Sequence, residues 1–223
     1  MMIRKISLSE QPIMIIMYNK KAVTDCRKAG KMSTTQPIKS KEDLKAFMAY
    51  YKTTHPNPRN QALIILGLHT ALRISDILEL HWKDVYDFSM HIFKKHLTVL
   101  EQKTNKQKMV ALNIHVIETL ETFKNIRKPN PQDFIFSKRT DPASPISRSQ
   151  AFRIVRNAAR ESLHAEHISC HSLRKTFGYH AWKQGISPVL LMDIYNHSSY
   201  QITKRYLGID QDEKDHVYLD LKL

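Results

Sequence analysis

The sequence predicts a mainly α fold with a small antiparallel β-sheet, on three observations. Only 5 glycines occur in 223 residues, so few positions interrupt a helix. Long segments carry apolar residues at helical spacing, some of them opened by a serine in the cap position. Only residues 90–112 have the composition of short strands, in Met90-His-Ile-Phe93, Leu97-Thr-Val-Leu100 and Lys108-Met-Val-Ala-Leu112. A hydrophobic fraction of 42% is that of a globular chain and excludes a disordered one.

Residues 1–35 show weak periodicity and run into the polar stretch Lys31-Met-Ser-Thr-Thr-Gln36. They read as a flexible basic extension, with Met32 as an alternative start. Ser40-Lys-Glu-Asp43 forms a capping box that opens the first helix, which reaches about Thr53. Pro56 and Pro58 mark a turn. From Asn60 to Ala71 the chain is apolar nearly all round, as a central buried helix should be. Ser75-Asp-Ile-Leu-Glu-Leu80 reads as a short helix capped by Ser75, which sets Arg73 at a joint between two helices. The three strands follow, the last two joined by the basic hairpin tip Gln102-Lys-Thr-Asn-Lys-Gln107. Helices are predicted at 114–127, 147–162, 171–184, 187–195 and 199–208. Between 128 and 147, four prolines make a surface connection around a short strand, Phe134-Ile-Phe136. One domain over 36–210 and a tail over 211–223 complete the division, and no internal repeat appears.

Lys and Arg number 35 against 21 acidic residues, a net charge of +14. A surplus of that size favours a polyanion partner, because neutralising phosphates releases counterions. The bland alternative is a protein that is merely basic. The two cysteines, Cys26 and Cys170, are no disulfide framework and fit a reducing cytoplasm. The run Ile13-Met-Ile-Ile-Met-Tyr18 is too short to cross a bilayer. It is also a poor secretion signal, since Lys20 and Lys21 follow it instead of a small-residue cleavage site. A cytoplasmic location is expected.

His171 and Arg174 lie three apart on a predicted helix and so project from one face. Alone, such a pair is commonplace on protein surfaces. Thr176, Phe177, Tyr179 and Trp182 supply an apolar face that would hold the helix rigidly, His197 follows, and Tyr206 lies nine residues beyond it. With Arg73 upstream, this set can grip the oxygens of a phosphodiester while a tyrosine hydroxyl attacks. His164, His167, Cys170 and His171 imitate metal-ligand spacing, but no second cluster accompanies them and no metal is expected. Arg148, Arg153, Arg156 and Arg160 mark a helix that is either an ordinary solvated face or a nucleic-acid contact.

These motifs, in this order, resemble the catalytic domain of the tyrosine recombinase (phage integrase) family over roughly residues 37–210. The family's Thr-Gly-Leu-Arg-x-Ser-Glu-Leu motif is matched by Thr70-Ala-Leu-Arg73-Ile-Ser-Asp76-Ile. Its His-x-Leu-Arg-His-Thr-Phe is matched by His171-Ser-Leu-Arg174-Lys-Thr-Phe177, and its Leu-Gly-His-Ser-Ser by Tyr195-Asn-His197-Ser-Ser, with Thr203 and Tyr206 after it. The family's hairpin lysine corresponds to Lys103. Four motifs in the correct order make chance agreement remote.

The resemblance implies the fold of DNA breaking-rejoining enzymes and a site-specific recombinase working through a 3′-phosphotyrosyl intermediate. The alternative on the same scaffold is a DNA-binding regulator that does not cut. In the recombinase reading Arg73 and Arg174 clamp the phosphate, and Tyr206 is the nucleophile. His171 takes or returns the tyrosine proton, His197 donates to a phosphate oxygen, and Lys103 protonates the leaving 5′ oxygen. Lys106 and Lys108 share the hairpin, so a register error would exchange roles with Lys103. Tyr195 and Tyr200 are rival nucleophiles by proximity: Tyr195 reads better as core, and Tyr200 lies too close to His197. DNA contacts are expected from Lys106, Arg148, Gln150, Arg153 and Lys175, with the helix after residue 147 entering a groove near Ser149. No cofactor is implied. The implied partners are double-stranded DNA and three further copies in a tetramer on two sites. The role of the helical clamping domain that the family usually carries is expected to fall to an accessory DNA-binding protein, to the basic extension or to multimerisation. Two departures stand out. Asn196 replaces the usual glycine, and Lys175 replaces a second histidine. Val217-Tyr-Leu-Asp-Leu-Lys-Leu223 is apolar at alternate positions, which suits packing on its own domain; the resemblance implies instead a tail that docks on a neighbouring protomer.

Overall fold

The apolar run read as a central helix is α2 (Pro58–Thr70), and the other elements are arranged around it. In this computed structural model the described residues are 35–102, 106–209, 214–215 and 218–219. The expected basic extension and nearly all of the expected tail therefore lie outside the described residues, as does Lys103.

Helix α1 (Lys41–Ala49) starts at Ser40, whose hydroxyl accepts from the Asp43 amide, and it runs on into a π-helical turn, Tyr50–Thr54. Helix α2 begins two residues earlier than its apolar run suggests. Asn57 caps it, and Pro58 occupies the first turn, where a missing N–H is no loss. It ends at Ala71, which turns left-handed (φ 53°) and buries its side chain completely. Helix α3 (Ile74–Leu78) is capped by Arg73, not by Ser75 as the sequence suggested, so the arginine itself forms the joint.

A short helix, α4 (Trp82–Val85), was not legible in the sequence. Trp82 is fully buried, and the Asp84 carboxylate closes the turn on the His81 amide. The expected three strands resolve into two separate two-stranded ladders. Strands β1 (Tyr86–Asp87) and β2 (Ile92–Phe93) form one, and β3 (His96–Leu100) and β4 (Gln107–Ala111) form the other. The break falls at Lys94 and Lys95, whose backbone groups bond Val85 and Leu112 instead of extending one sheet. Phe134-Ile-Phe136 makes isolated bridges and no strand. Its neighbours include Pro142 and Pro145, which cannot donate to a ladder, and Ile135 reaches back to the Leu80 carbonyl.

Helices α5 (Ile114–Arg127), α6 (Arg148–Leu163), α7 (Cys170–Lys183), α8 (Pro188–Tyr195) and α9 (Tyr200–Leu207) fall where periodicity sets them, within a residue at either end. Helix α7 lies against α2 through Gly67, where an added Cβ would come within 2.6 Å of Leu173. Helices α8 and α9 pack on α7 at Gly178, where an added Cβ would come within 2.8 Å of the Tyr195 ring and 2.6 Å of Leu207. Absence of a side chain at Gly178 thus sets how closely the segment bearing His197 and Tyr206 can approach Arg174. No described helix is long and apolar enough to cross a membrane.

Candidate active site

Arg73 leaves the α2–α3 joint with its guanidinium between two buried carboxylates. Its Nη1 lies 2.8 Å from Glu101 and 4.0 Å from Asp76. Asp76 in turn accepts from the Gln102 amide, which ties α3 to the mouth of the β3–β4 hairpin. Arg73 keeps 19% of its side chain exposed, enough for one edge of the fork to meet a ligand.

Arg174 is treated differently. It is 3% exposed, and among the described residues no carboxylate pairs with it. Its guanidinium is held by the carbonyls of Ala71 and Tyr195 and lies 4.7 Å over the Tyr195 ring. The left-handed turn at Ala71 aims the first of those carbonyls. A buried guanidinium held by neutral dipoles keeps its charge for an incoming anion, whereas one held by a carboxylate would not.

Tyr206 stands on α9, facing Arg174 and Arg73. Burial pushes its hydroxyl above the ordinary tyrosine range, while Arg174 and then Arg73 pull the other way. Two histidines stand edge-on to its ring, His197 at 5.1 Å and His171 at 6.2 Å between centroids. His197 Nδ1 sits 3.1 Å from the buried Thr203 hydroxyl, and its ring stacks on Tyr195. Burial, then Arg174 and Arg73, hold His197 below the ordinary histidine range, so it is neutral at pH 7. The structure therefore brings Arg73, His171, Arg174, His197 and Tyr206 together from four separate helices and joints.

The hairpin contributes more than its tip. The register pairs Val99 with Lys108, and Glu101 N bonds Lys106 O. Alternation along each strand then puts Leu97, Val99 and Glu101 on the same face as Lys106, Lys108 and Val110. Lys108 Nζ donates to the Ile194 carbonyl at 2.8 Å. Burial and the charge of Arg174 are the leading causes that push it down to about 8. Lys106 Nζ reaches Asn196 Oδ1 at 3.2 Å, a contact that the family's usual glycine would not offer. Asn196 itself adopts the left-handed conformation, as that exchange requires.

Of the expected DNA contacts, Arg148 and Arg153 are exposed on α6, and Gln150 is half-buried at its start. Farther along that helix Arg156 pairs with Glu166 and Arg160 with Glu161, so the basic stripe is partly neutralised. Lys175, expected at DNA, is 3% exposed; its ammonium donates to the Thr35 carbonyl and lies 5.3 Å from the Tyr206 ring centre. Tyr195, a rival nucleophile by proximity, is fully buried and bonded to the Arg174 carbonyl. Among the described residues no group of three metal-ligating side chains converges.

Sequence reasoning missed Glu101 and Asp76 as the brackets of Arg73, and it named Lys108 only as a register alternative. A signal for Glu101 existed: it is the one acid at the head of a lysine-rich tip, two residues along the strand from Val99 on the buried face.

The Phage integrase family profile matches residues 39–213. The chain is 39% identical over 189 residues to the "Probable integrase/recombinase YoeC" of Bacillus subtilis (strain 168), covering 84% of this chain and 97% of that protein. It is 28% identical over 152 residues to the "Type 1 fimbriae regulatory protein FimE" of Escherichia coli (strain K12), covering 66% of this chain and 73% of that one. Among solved structures, XerH site-specific recombinase bound to palindromic difH substrate in a post-cleavage complex superposes with a TM-score of 0.67 at 19% identity. That match covers 85% of this chain but spans only 54% of the XerH chain, and it speaks for the fold alone.

Proposed function

This chain belongs to the phage integrase family, and from that premise we propose that it is a site-specific tyrosine recombinase that cuts and rejoins DNA with Tyr206 as its nucleophile. The observation that carries the assignment is the convergence on Tyr206 of Arg174 and Arg73, which both pull its hydroxyl down, and of the His171 and His197 rings. A phosphodiester entering there meets both guanidinium groups. The negative charge that builds on the equatorial oxygens during attack is met by Arg73 and Arg174, which are preorganised by protein groups before DNA arrives.

In the first step Tyr206 Oη bonds to phosphorus, the bond to the 5′ oxygen breaks, and a 3′-phosphotyrosyl link forms. That link conserves the energy of the broken bond, so rejoining by a 5′ hydroxyl needs no ATP. His171 accepts the tyrosine proton. His197 donates to a phosphate oxygen through Nε2, which requires the Thr203 hydroxyl to donate to Nδ1. Lys103, by the family resemblance, delivers the proton to the leaving 5′ oxygen. A second reading of that role is favoured by one observation: Lys108 is the hairpin lysine whose ammonium sits by Arg73 and Arg174 and is depressed toward neutral pH. DNA substrates with sulfur at the 5′ bridging position separate the two, because a thiolate leaves without a proton. The variant of the true acid is rescued by sulfur and the other is not.

Exposed Arg148 and Arg153, with Gln150, lie on the helix proposed to enter a DNA groove. Strand exchange between two duplexes requires four protomers, so a tetramer assembled on DNA is part of the proposal, with an accessory protein completing the grip on each site. The test of the whole reading is an SDS-resistant protein–DNA adduct on nicked duplexes. The expected result is an adduct that Tyr206→Phe abolishes while DNA binding persists. Cleavage by that variant at the wild-type rate would remove Tyr206 from the mechanism.

A further inference from the structure

A second concentration of positive charge lies outside the Arg73–Arg174–Tyr206 cluster. A cavity of about 450 Å³ is lined by Arg59 at the start of α2, Arg127 at the end of α5, Lys138 and Arg139 of the proline-rich connection, and Gln150 at the start of α6. None of its lining residues is acidic. Among the described residues no carboxylate pairs with Arg59 or Arg127. Arg59 donates to the Ser137 carbonyl and to Asn60, which fixes its plane, but its Nε is enclosed without a hydrogen-bond partner. Arg127 Nη2 is likewise enclosed without one. Leaving a buried donor unmet costs on the order of 1–3 kcal/mol, so two such donors from like-charged groups form an arrangement that an acceptor anion would relieve. Burial, and after it the charge of Arg127, push Arg59 below the ordinary arginine range, as expected of two cations lining one cavity.

The position of the cavity points to the source of that anion. A neighbouring cavity of about 300 Å³ is lined by Ser75, Glu79, Lys138, Ser147 and Arg148, among others, and shares Lys138 with the first. Ser75 is two residues from Arg73, and Ser147 caps the helix that carries Gln150 and Arg153. The two cavities therefore meet at Lys138 beside the start of α6, and the second reaches α3, the helix that Arg73 caps.

We propose that the Arg59–Arg127 cavity is a phosphate-binding site, and that it holds a backbone phosphate of the duplex whose groove α6 enters. The DNA part rests on the function proposed above; the phosphate chemistry of the cavity does not. Two arginines and Lys138 suit a phosphate because each guanidinium can bond two of its oxygens, and the unmet donors gain their acceptors.

Arg127→Gln is the informative variant, since Arg127 makes no hydrogen bond among the described residues that its loss would break. Binding of a non-cognate duplex is measured across a salt series, together with thermal unfolding in inorganic phosphate. The expected result is a log K against log salt slope shallower by about one in Arg127→Gln, largely restored in Arg127→Lys. Unfolding of the wild type should also shift upward in phosphate, and that of Arg127→Gln should not. A phosphate-dependent shift with an unchanged DNA slope would keep the site but overturn DNA as its source. Absence of both effects would overturn the proposal. The readouts are binding and unfolding, not cleavage. A chain that forms no adduct yet shows the altered slope would sink the recombinase chemistry and leave this site standing.

Discussion

Arg174 and Tyr195 hold each other from both ends. The guanidinium lies 4.7 Å over the Tyr195 ring and donates to its backbone carbonyl, while the tyrosine hydroxyl returns a bond of 2.7 Å to the Arg174 carbonyl. A phenol thus stands against the backbone of α7 at the point where the arginine proposed to bind phosphate leaves it. Burial pushes that hydroxyl far above the ordinary tyrosine range, so Tyr195 serves as a platform and is no rival to Tyr206 as nucleophile.

Tyr195→Phe should keep the platform and lose the bond to the Arg174 carbonyl. The expected cost is about 1–3 kcal/mol, roughly 3–10 °C in Tm for a domain of this size. Peptide mapping of the trapped adduct should still find DNA on Tyr206. A folded Tyr195→Phe protein that makes no adduct would mean the hydroxyl takes part in the reaction.

Glu101 decides how Arg73 is presented. Glu101→Gln leaves the shape but removes the nearer of the two opposing charges. Stability should fall by about 3 kcal/mol, the low end for breaking a buried pair, because Asp76 remains. DNA binding should hold or tighten, since one negative charge has gone, while the adduct forms at least about tenfold more slowly, the equivalent of about 1.4 kcal/mol in orientation. Slower cleavage with proportionally weaker binding would assign Glu101 to DNA docking instead.

The depression of Lys108 to about 8 has a signed consequence for pH. The folded state releases this proton before the unfolded chain does, whose lysines hold theirs to about 10.4. Between those values the unfolded state binds more protons, so the Lys108 contribution to stability grows as pH rises through that window. Cleavage at subsaturating DNA should move the opposite way if Lys108 supplies the leaving-group proton: the rate falls as pH rises past about 8. Lys108→Arg keeps the charge and should erase that limb of the profile. An unchanged limb would return the role to Lys103.

Asn196 offers a clean way to loosen the hairpin. Asn196→Gly favours the left-handed turn and removes only the amide that Lys106 reaches. This exposed contact is weak, so stability should change by less than about 1 kcal/mol. Hydrogen exchange at the start of β4 should nevertheless quicken, and quicken further when Lys108→Met removes the bond to Ile194. Protection unchanged in the double variant would show that the ladder alone holds the hairpin in place.

The helices, their order and the candidate reacting groups were legible in the sequence because each is written locally. The cap at Ser40, the apolar run in α2 and the spacing of His171 to Arg174 depend on residues within a few turns of one another. The hairpin was half legible: its two strands have the right composition, but the split into separate ladders rests on backbone bonds from Lys94 and Lys95 to distant partners. The enclosure of Lys175 was not legible for the same reason: only the packing of Thr35 and Tyr206 against α7 creates it.

The sequence by itself therefore determined the fold class, the family and the set of groups proposed for chemistry. What only the tertiary structure decided is how each charge is answered. Arg73 is met by two carboxylates, Arg174 by carbonyls and a ring, and Arg59 and Arg127 by no acid among the described residues. Electrostatic partners are fixed by distance in space and by exclusion of water, and a linear sequence records neither.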